Sequence, residues 1–143
     1  MPDEEHGHRM ERGREMMLRI SPERGESMVA ELRAVAPDFE ELLVGIAFAD
    51  VWTRSVLSLR ERALVRLGAL TALGSPDAAT AANIDSALHI GLSDEEISEA
   101  FLQTIPYCGF PHVIGALKAL KSMRESDPAD GSGSRGHETS EEP

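Results

Sequence analysis

Three times in this chain a short oxygen-bearing side chain stands three positions ahead of a glutamate at the edge of an apolar run: Asp38 with Glu41, Ser58 with Glu61, and Ser93 with Glu96. Such a pair closes the open end of a helix. The first side chain accepts from the backbone N–H three residues on, and the glutamate reaches back to the N–H of the first residue. Stops accompany these starts: Gly74 and Gly91 fall where a helix ends most easily on a left-handed residue. Ser21, Pro22 and Glu23 supply a further N-cap, first-turn proline and favourable acid, and Ser75, Pro76 and Asp77 begin another helix. No strand-length β-branched alternation and no internal repeat interrupts the series. The chain is therefore read as all-α, a bundle of six or seven helices.

Apolar spacing assigns the faces. A first helix over 9–20 would turn Met10, Met17, Leu18 and Ile20 inward, and a second, from Ser21 to about position 35, would bury Met28, Val29 and Leu32. The helix opened by Asp38 carries Leu42, Leu43, Ile46, Ala47 and Val51 at three-to-four spacing and ends near 50–54. The helix over 59–73 is apolar around most of its circumference, with Leu64, Val65, Leu67, Leu70 and Leu73, which predicts neighbours on several sides. An alanine-rich helix ends at Gly91. Leu92 and Ile97 are placed as a hydrophobic staple across the Ser93 box, ahead of a helix burying Ile97, Ala100 and Phe101. A last helix to about position 124 turns Val113, Ile114, Leu117 and Leu120 inward. Residues 1–8 are expected to be an unanchored terminus and 9–124 a single helical domain. Residues 125–143 are expected to be a disordered acidic tail, too poor in apolar side chains to offset chain entropy.

Charge narrows the partners. Fourteen basic against 25 acidic residues give a net charge of −11, which repels nucleic acid and anionic membrane surfaces alike. No apolar run is long enough to span a bilayer, and the N-terminal residues lack a basic stretch followed by an apolar one, so a cytoplasmic protein is expected. One cysteine excludes an internal disulfide, a CxxC redox pair and a thiolate-rich zinc site within one chain. No histidine and carboxylate grouping has metal-ligand spacing, and no Gly-rich phosphate loop is present.

The chemistry concentrates at Gln103-Thr-Ile-Pro-Tyr-Cys-Gly-Phe-Pro-His112, which contains the only tyrosine, the only cysteine and one of five histidines. Pro106, Gly109 and Pro111 predict a sharp helix-to-helix corner that holds Tyr107, Cys108 and His112 where facing helices can build a pocket. His112, as an imidazole, is a candidate for general acid-base work, against a solvent-facing alternative. Cys108 is a nucleophile if a helix N-terminus lowers its pKa and otherwise a small hydrophobe. Trp52, the only tryptophan, either walls a pocket or packs a helix end, and Glu61 is read as a capping carboxylate rather than a buried acid.

In order along the chain, Phe48-Ala-Asp-Val-Trp52, Leu57-Ser-Leu-Arg-Glu-Arg62, Ala69-Leu-Thr-Ala-Leu-Gly74, Ser86-Ala-Leu-His-Ile-Gly-Leu-Ser-Asp-Glu-Glu-Ile97 and Tyr107-Cys-Gly-Phe-Pro111 resemble the carboxymuconolactone decarboxylase family, within the superfamily that includes alkylhydroperoxidase D. The likeness covers roughly residues 38–122. It implies an all-helical fold assembled as homotrimers or homohexamers, with ligand pockets near subunit contacts and a small-molecule substrate handled without a cofactor. Two departures stand out. Asn83 occupies the position where decarboxylase members carry a histidine, and an amide cannot exchange a proton near neutral pH. Ser75-Pro-Asp-Ala-Ala79 replaces the CxxC of the peroxidase branch, and Ala63 replaces its glutamate. The resemblance implies Arg62 as a carboxylate clamp and Asn83 as a ligand contact. Trp52 and Tyr107 would then form an apolar wall, with His112 moving a proton and Cys108 as a lesser catalytic candidate. One cavity shared by the Tyr107–Pro111 bend and the helix bearing Asn83 is expected, serving a decarboxylase or lyase, or a cyclase or isomerase variant. A non-catalytic binding or assembly protein on the same scaffold is the alternative, and a single-cysteine peroxidase is the third reading.

Overall fold

In the computed structural model, which describes residues 2–75 and 77–126, every element is helical. The order is α1 (Pro2–Ile20), α2 (Pro22–Arg33), a π-helix (Glu41–Trp52), α3 (Leu59–Ala72), α4 (Asp77–His89), α5 (Asp94–Leu102), α6 (Ile105–Cys108) and α7 (Phe110–Ser126). Among the described residues there is no strand. No helix of the described residues is long and apolar enough to cross a membrane.

Several local signals act where the sequence places them, although Ser21 precedes α2 without a side-chain cap hydrogen bond. The Ser58–Glu61 and Ser93–Glu96 boxes both form reciprocally, so Glu61 is the capping carboxylate expected of it. Gly74 and Gly91 are left-handed, at φ 61° and 93°. The corner is sharper than a simple break: α6 is a single turn, closed by Gly109 at φ 79° before α7 starts.

Two apolar clusters stack side by side. In one, α3, α4, α5 and α7 pack Leu67, Ile84, Ile97, Phe101, Val113 and Leu120, all at 5 % exposure or less. The staple residues Leu92 and Ile97 both lie in it. In the other, α1 and α2 close over the π-helix with Met10, Met17, Ile20, Val29, Phe48 and Trp52. Ile90 packs against both. Gly13 makes the α1 crossing possible: a Cβ there would sit 2.4 Å from the carbonyl oxygen of Val44. Arg9 reinforces the crossing, its Nε donating to Asp50 Oδ1 at 2.9 Å.

Four expectations are corrected. The first helix begins at Pro2, so residues expected to be an unanchored terminus are helical; Asp3, Glu4 and Glu5 stabilise its N-terminal dipole, and His6 lies 3.8 Å from Glu41. The Asp38–Glu41 box does not form. The π-helix starts after Glu40 with no side-chain cap, and Glu40 instead pairs with Arg14 and Arg33. The inward face of the π-helix also differs from that of an α-helix. Its i→i+5 winding sets Val44, Phe48, Ala49 and Trp52 on the core side and leaves Leu42, Ile46 and Val51 exposed. Finally, α3 is not surrounded, because Leu64, Val65 and Leu73 face outward. At the other end α7 continues through Glu125 and Ser126, and the remainder of the expected tail, 127–143, lies outside the described residues.

Candidate ligand-binding site

The exposed side of α3 forms one wall of a hollow of about 510 Å³. Arg62, Val65, Arg66 and Ala69 recur at three- and four-residue intervals, so one stripe of α3 faces it. The end of the π-helix contributes Val51 and Trp52, and the loop that follows contributes Arg54, Val56 and Leu57. Every uncharged lining residue is apolar, and every polar side chain in the lining apart from the Trp52 indole N–H is a guanidinium.

Arg66 is the unusual member. Its Nε and Nη2 are buried and have no hydrogen-bond partner. Burial pulls its pKa down to about 10, so it stays cationic at neutral pH. Its guanidinium carbon lies 4.5 Å from the centroid of the Trp52 ring, a cation–π contact. Trp52 is fixed from a second side, since Arg62 Nη1 donates to its backbone carbonyl. An apolar hollow whose lining includes a desolvated, unpaired guanidinium suits a carboxylate on an apolar body, because a bidentate acceptor would satisfy N–H groups that have no partner in the free protein.

Sequence reasoning missed Arg66, although a signal was present. An arginine one turn after Arg62, inside the most apolar helix of the chain, needs a partner that periodicity alone does not supply.

The other expected site residues are dispersed. His112, exposed in the first turn of α7, lines a separate hollow of about 180 Å³ with Thr71, Ser75, Asp77 and Thr80. Its Nδ1 lies 3.1 Å from the Cys108 carbonyl oxygen. A carbonyl only accepts, so Nδ1 carries the proton and Nε2 is left as the basic nitrogen. The ring stacks on Gly74, where a Cβ would come within 3.0 Å of it. Tyr107 is 88 % exposed, at the edge of a third hollow between α3 and α5. Asn83 is half-buried and spends its amide on its own helix, Nδ2 donating to the Ala79 oxygen at 2.7 Å. Cys108, also half-buried, directs its thiol to the Thr104 oxygen at 3.3 Å. Neither Asn83 nor Cys108 lines any of the hollows described. The structure therefore gathers Trp52 and Arg62 and does not join them to the bend. The bend and the Asn83 helix do share the small hollow of His112, lined by Pro111 on one side and by Asp77 and Thr80 of α4 on the other, but Tyr107, Cys108 and Asn83 are not in its lining, because α6 turns Tyr107 outward and Asn83 is bonded within α4.

A search of curated proteins found no match for the chain. A comparison with family models gives the Carboxymuconolactone decarboxylase family over residues 37–122, more than half of the chain and the whole span from the π-helix through most of α7. The chain belongs to the carboxymuconolactone decarboxylase family.

Proposed function

We propose that the chain takes a small carboxylated, lactone-like or enolisable molecule into the hollow under Trp52 and acts on it without a cofactor. The observation that carries this reading is Arg66: a cation with buried, unpaired N–H groups in the lining of an apolar hollow. In a decarboxylation the bond to the departing carbon dioxide breaks and its electron pair passes to a neighbouring carbonyl, giving an enolate. Arg66 and Arg62 would hold the carboxylate and then the enolate oxygen, and the apolar wall of Trp52 and Val65 would keep water from screening that charge. His112 and Cys108 remain proposed proton handlers only in the separate setting of the corner. The carbon left by carbon dioxide takes its proton from solvent at the open mouth. A cytoplasmic protein assembled as a homotrimer or homohexamer belongs to the same proposal, supported by the family and by the exposed apolar residues of α3 and the π-helix.

A second reading, a binding protein that has lost its chemistry, is favoured by two observations: the lining of the Trp52 hollow contains no histidine, cysteine or carboxylate, and Asn83 stands where the resemblance places a decarboxylase histidine. Both readings share the ligand site. Because Trp52 is the only tryptophan, its fluorescence reports on the hollow directly. Titration with aromatic and lactone carboxylic acids should change the emission saturably, and their methyl esters should not. Equal binding of acid and ester would overturn the assignment of Arg66. Release of carbon dioxide from a bound acid separates the enzyme from the binding protein.

A further inference from the structure

We infer that α1, the helix that precedes the residues matched to the family, positions the Trp52 wall of the hollow, with Arg9 as the positioning residue. The inference rests on the ligand site proposed above and adds its control: docking of α1 and binding of a carboxylate favour each other. Trp52 belongs to two structures at once. It walls the hollow and carries the Arg66 guanidinium on its ring, and it also packs with Met10, Met17 and Ile20 in the cluster that α1 and α2 close over the π-helix. Among the described residues no other member of the hollow's lining belongs to that cluster. Whatever moves α1 on the π-helix therefore reaches the hollow through this one ring.

The grip of α1 is built around the π winding. At Gly13 a Cβ would meet the Val44 carbonyl, so α1 crosses at backbone distance. One turn earlier Arg9 lays its guanidinium across Gly45, where a Cβ would come within 3.0 Å of Nη1. The same guanidinium forks onto Asp50, Nε donating to Oδ1 at 2.9 Å and Nη2 donating to Oδ2. Gly45 and Asp50 are one i→i+5 step apart, so the planar group spans a single turn of this winding and fixes it just ahead of Trp52. On the other side of Trp52, Arg62 Nη1 holds the backbone carbonyl. Both ends of the Arg9–Asp50 pair are partly exposed, and a pair of that kind adds little to global stability. What it supplies is the orientation of the last turn. With α1 undocked that turn is released and the Trp52 ring loses its fixed place beside Arg66. With a carboxylate on Arg66 and an apolar body on Trp52, the docked arrangement is favoured. Coupling of this kind is reciprocal.

Acrylamide quenching of Trp52, the only tryptophan, tests this in the full chain, with a benzoate titration beside it. Arg9→Met and Asp50→Ala should each raise quenching and weaken benzoate binding about fivefold or more, while melting within about 3 °C of wild type. The double variant should be no worse than the more affected single, because both act through one contact. Arg24→Met removes a comparable exposed pair, Arg24 Nε to Asp85 Oδ2 at 3.1 Å between α2 and α4, and should change neither reading. Arg9→Lys keeps the charge without the fork and should fall between wild type and Arg9→Met. Circular dichroism confirms that each variant is folded; should Arg9→Met not fold, Asp50→Ala and Arg9→Lys carry the test. Unchanged quenching in Arg9→Met and Asp50→Ala, the same response in Arg24→Met, additive losses in the double variant, or a fallen melting temperature with both readings intact would overturn the inference. Quenching needs no ligand, so a wild type that ignores benzoate while quenching responds refutes the ligand site alone. Benzoate bound with unresponsive quenching refutes the role of α1 alone.

Discussion

Replacing Arg66 with methionine should make the unliganded protein more stable and the liganded one weaker. Methionine keeps an unbranched side chain of similar reach and removes the cation. The structure leaves two buried nitrogens unpaired, and each such group costs about 1–3 kcal/mol. The contact with Trp52 returns about 0.5–2 kcal/mol, so the guanidinium is a net burden of about 3 kcal/mol, within a span of about 0–5.5, until something pairs with it. For a chain of this size each kcal/mol moves the melting temperature by about 3 °C, so Arg66→Met should melt about 9 °C above wild type. Thermal unfolding followed by circular dichroism, with and without a saturating aromatic carboxylate, reads both halves of the prediction. The acid should raise the wild-type transition and leave that of Arg66→Met unmoved. If Arg66→Met melts below wild type in the absence of ligand, Arg66 is a structural residue already satisfied in the free protein, and the reasoning fails.

Three further outcomes follow from the geometry. Gly13→Ala drives a Cβ against the Val44 carbonyl oxygen and should cost about 1–3 kcal/mol, seen as a lower urea midpoint at unchanged slope; an unchanged midpoint would mean that α1 can shift freely on the π-helix. Hydrogen bonding from Arg14 chiefly, and from Arg33, holds the Glu40 carboxyl below its ordinary 4.5 against the opposing effect of burial. Its contribution is therefore complete above about pH 4.5 and disappears as pH falls through the lowered value, so Glu40→Gln should unfold at lower temperature at pH 7 and show a flatter acid limb than wild type. His112→Ala should leave the Trp52 titration within about twofold of wild type, since His112 lines a different hollow; a change of tenfold, which is about 1.4 kcal/mol, would put its imidazole in contact with the ligand.

What the sequence reveals here is what neighbouring residues decide among themselves. Ser58 with Glu61 and Ser93 with Glu96 need only three residues of chain to find each other, and both boxes form. Asp38 with Glu41 has the same spacing, yet distant arginines recruit Glu40 and the winding beyond it changes, so the box is lost. That winding reassigns a whole face: Phe48 and Trp52 go in, and Leu42, Ile46 and Val51 stay out, because spacing read at the α-helical period cannot foresee a π-helix. At the candidate site Trp52 stood out as the only tryptophan and Arg62 through family likeness, and the two line one hollow. Arg66 was not, because an apolar helix reads as core until its neighbours are known. The bend and the Asn83 helix do meet at one small hollow, but Asn83 and Tyr107 are not in its lining, for a related reason. Each residue was placed on the right helix or turn, but which helix faces meet depends on packing over distances that no local pattern encodes.

The claim on which the rest turns is that the Trp52–Arg66 hollow holds an organic acid. Native mass spectrometry of the purified full-length protein, with bound small molecules released and identified, addresses it directly. The account predicts a carboxylic acid with an apolar body released from the wild type and missing from Arg66→Met at equal protein concentration. A neutral compound, or the same acid released equally from both proteins, would contradict it.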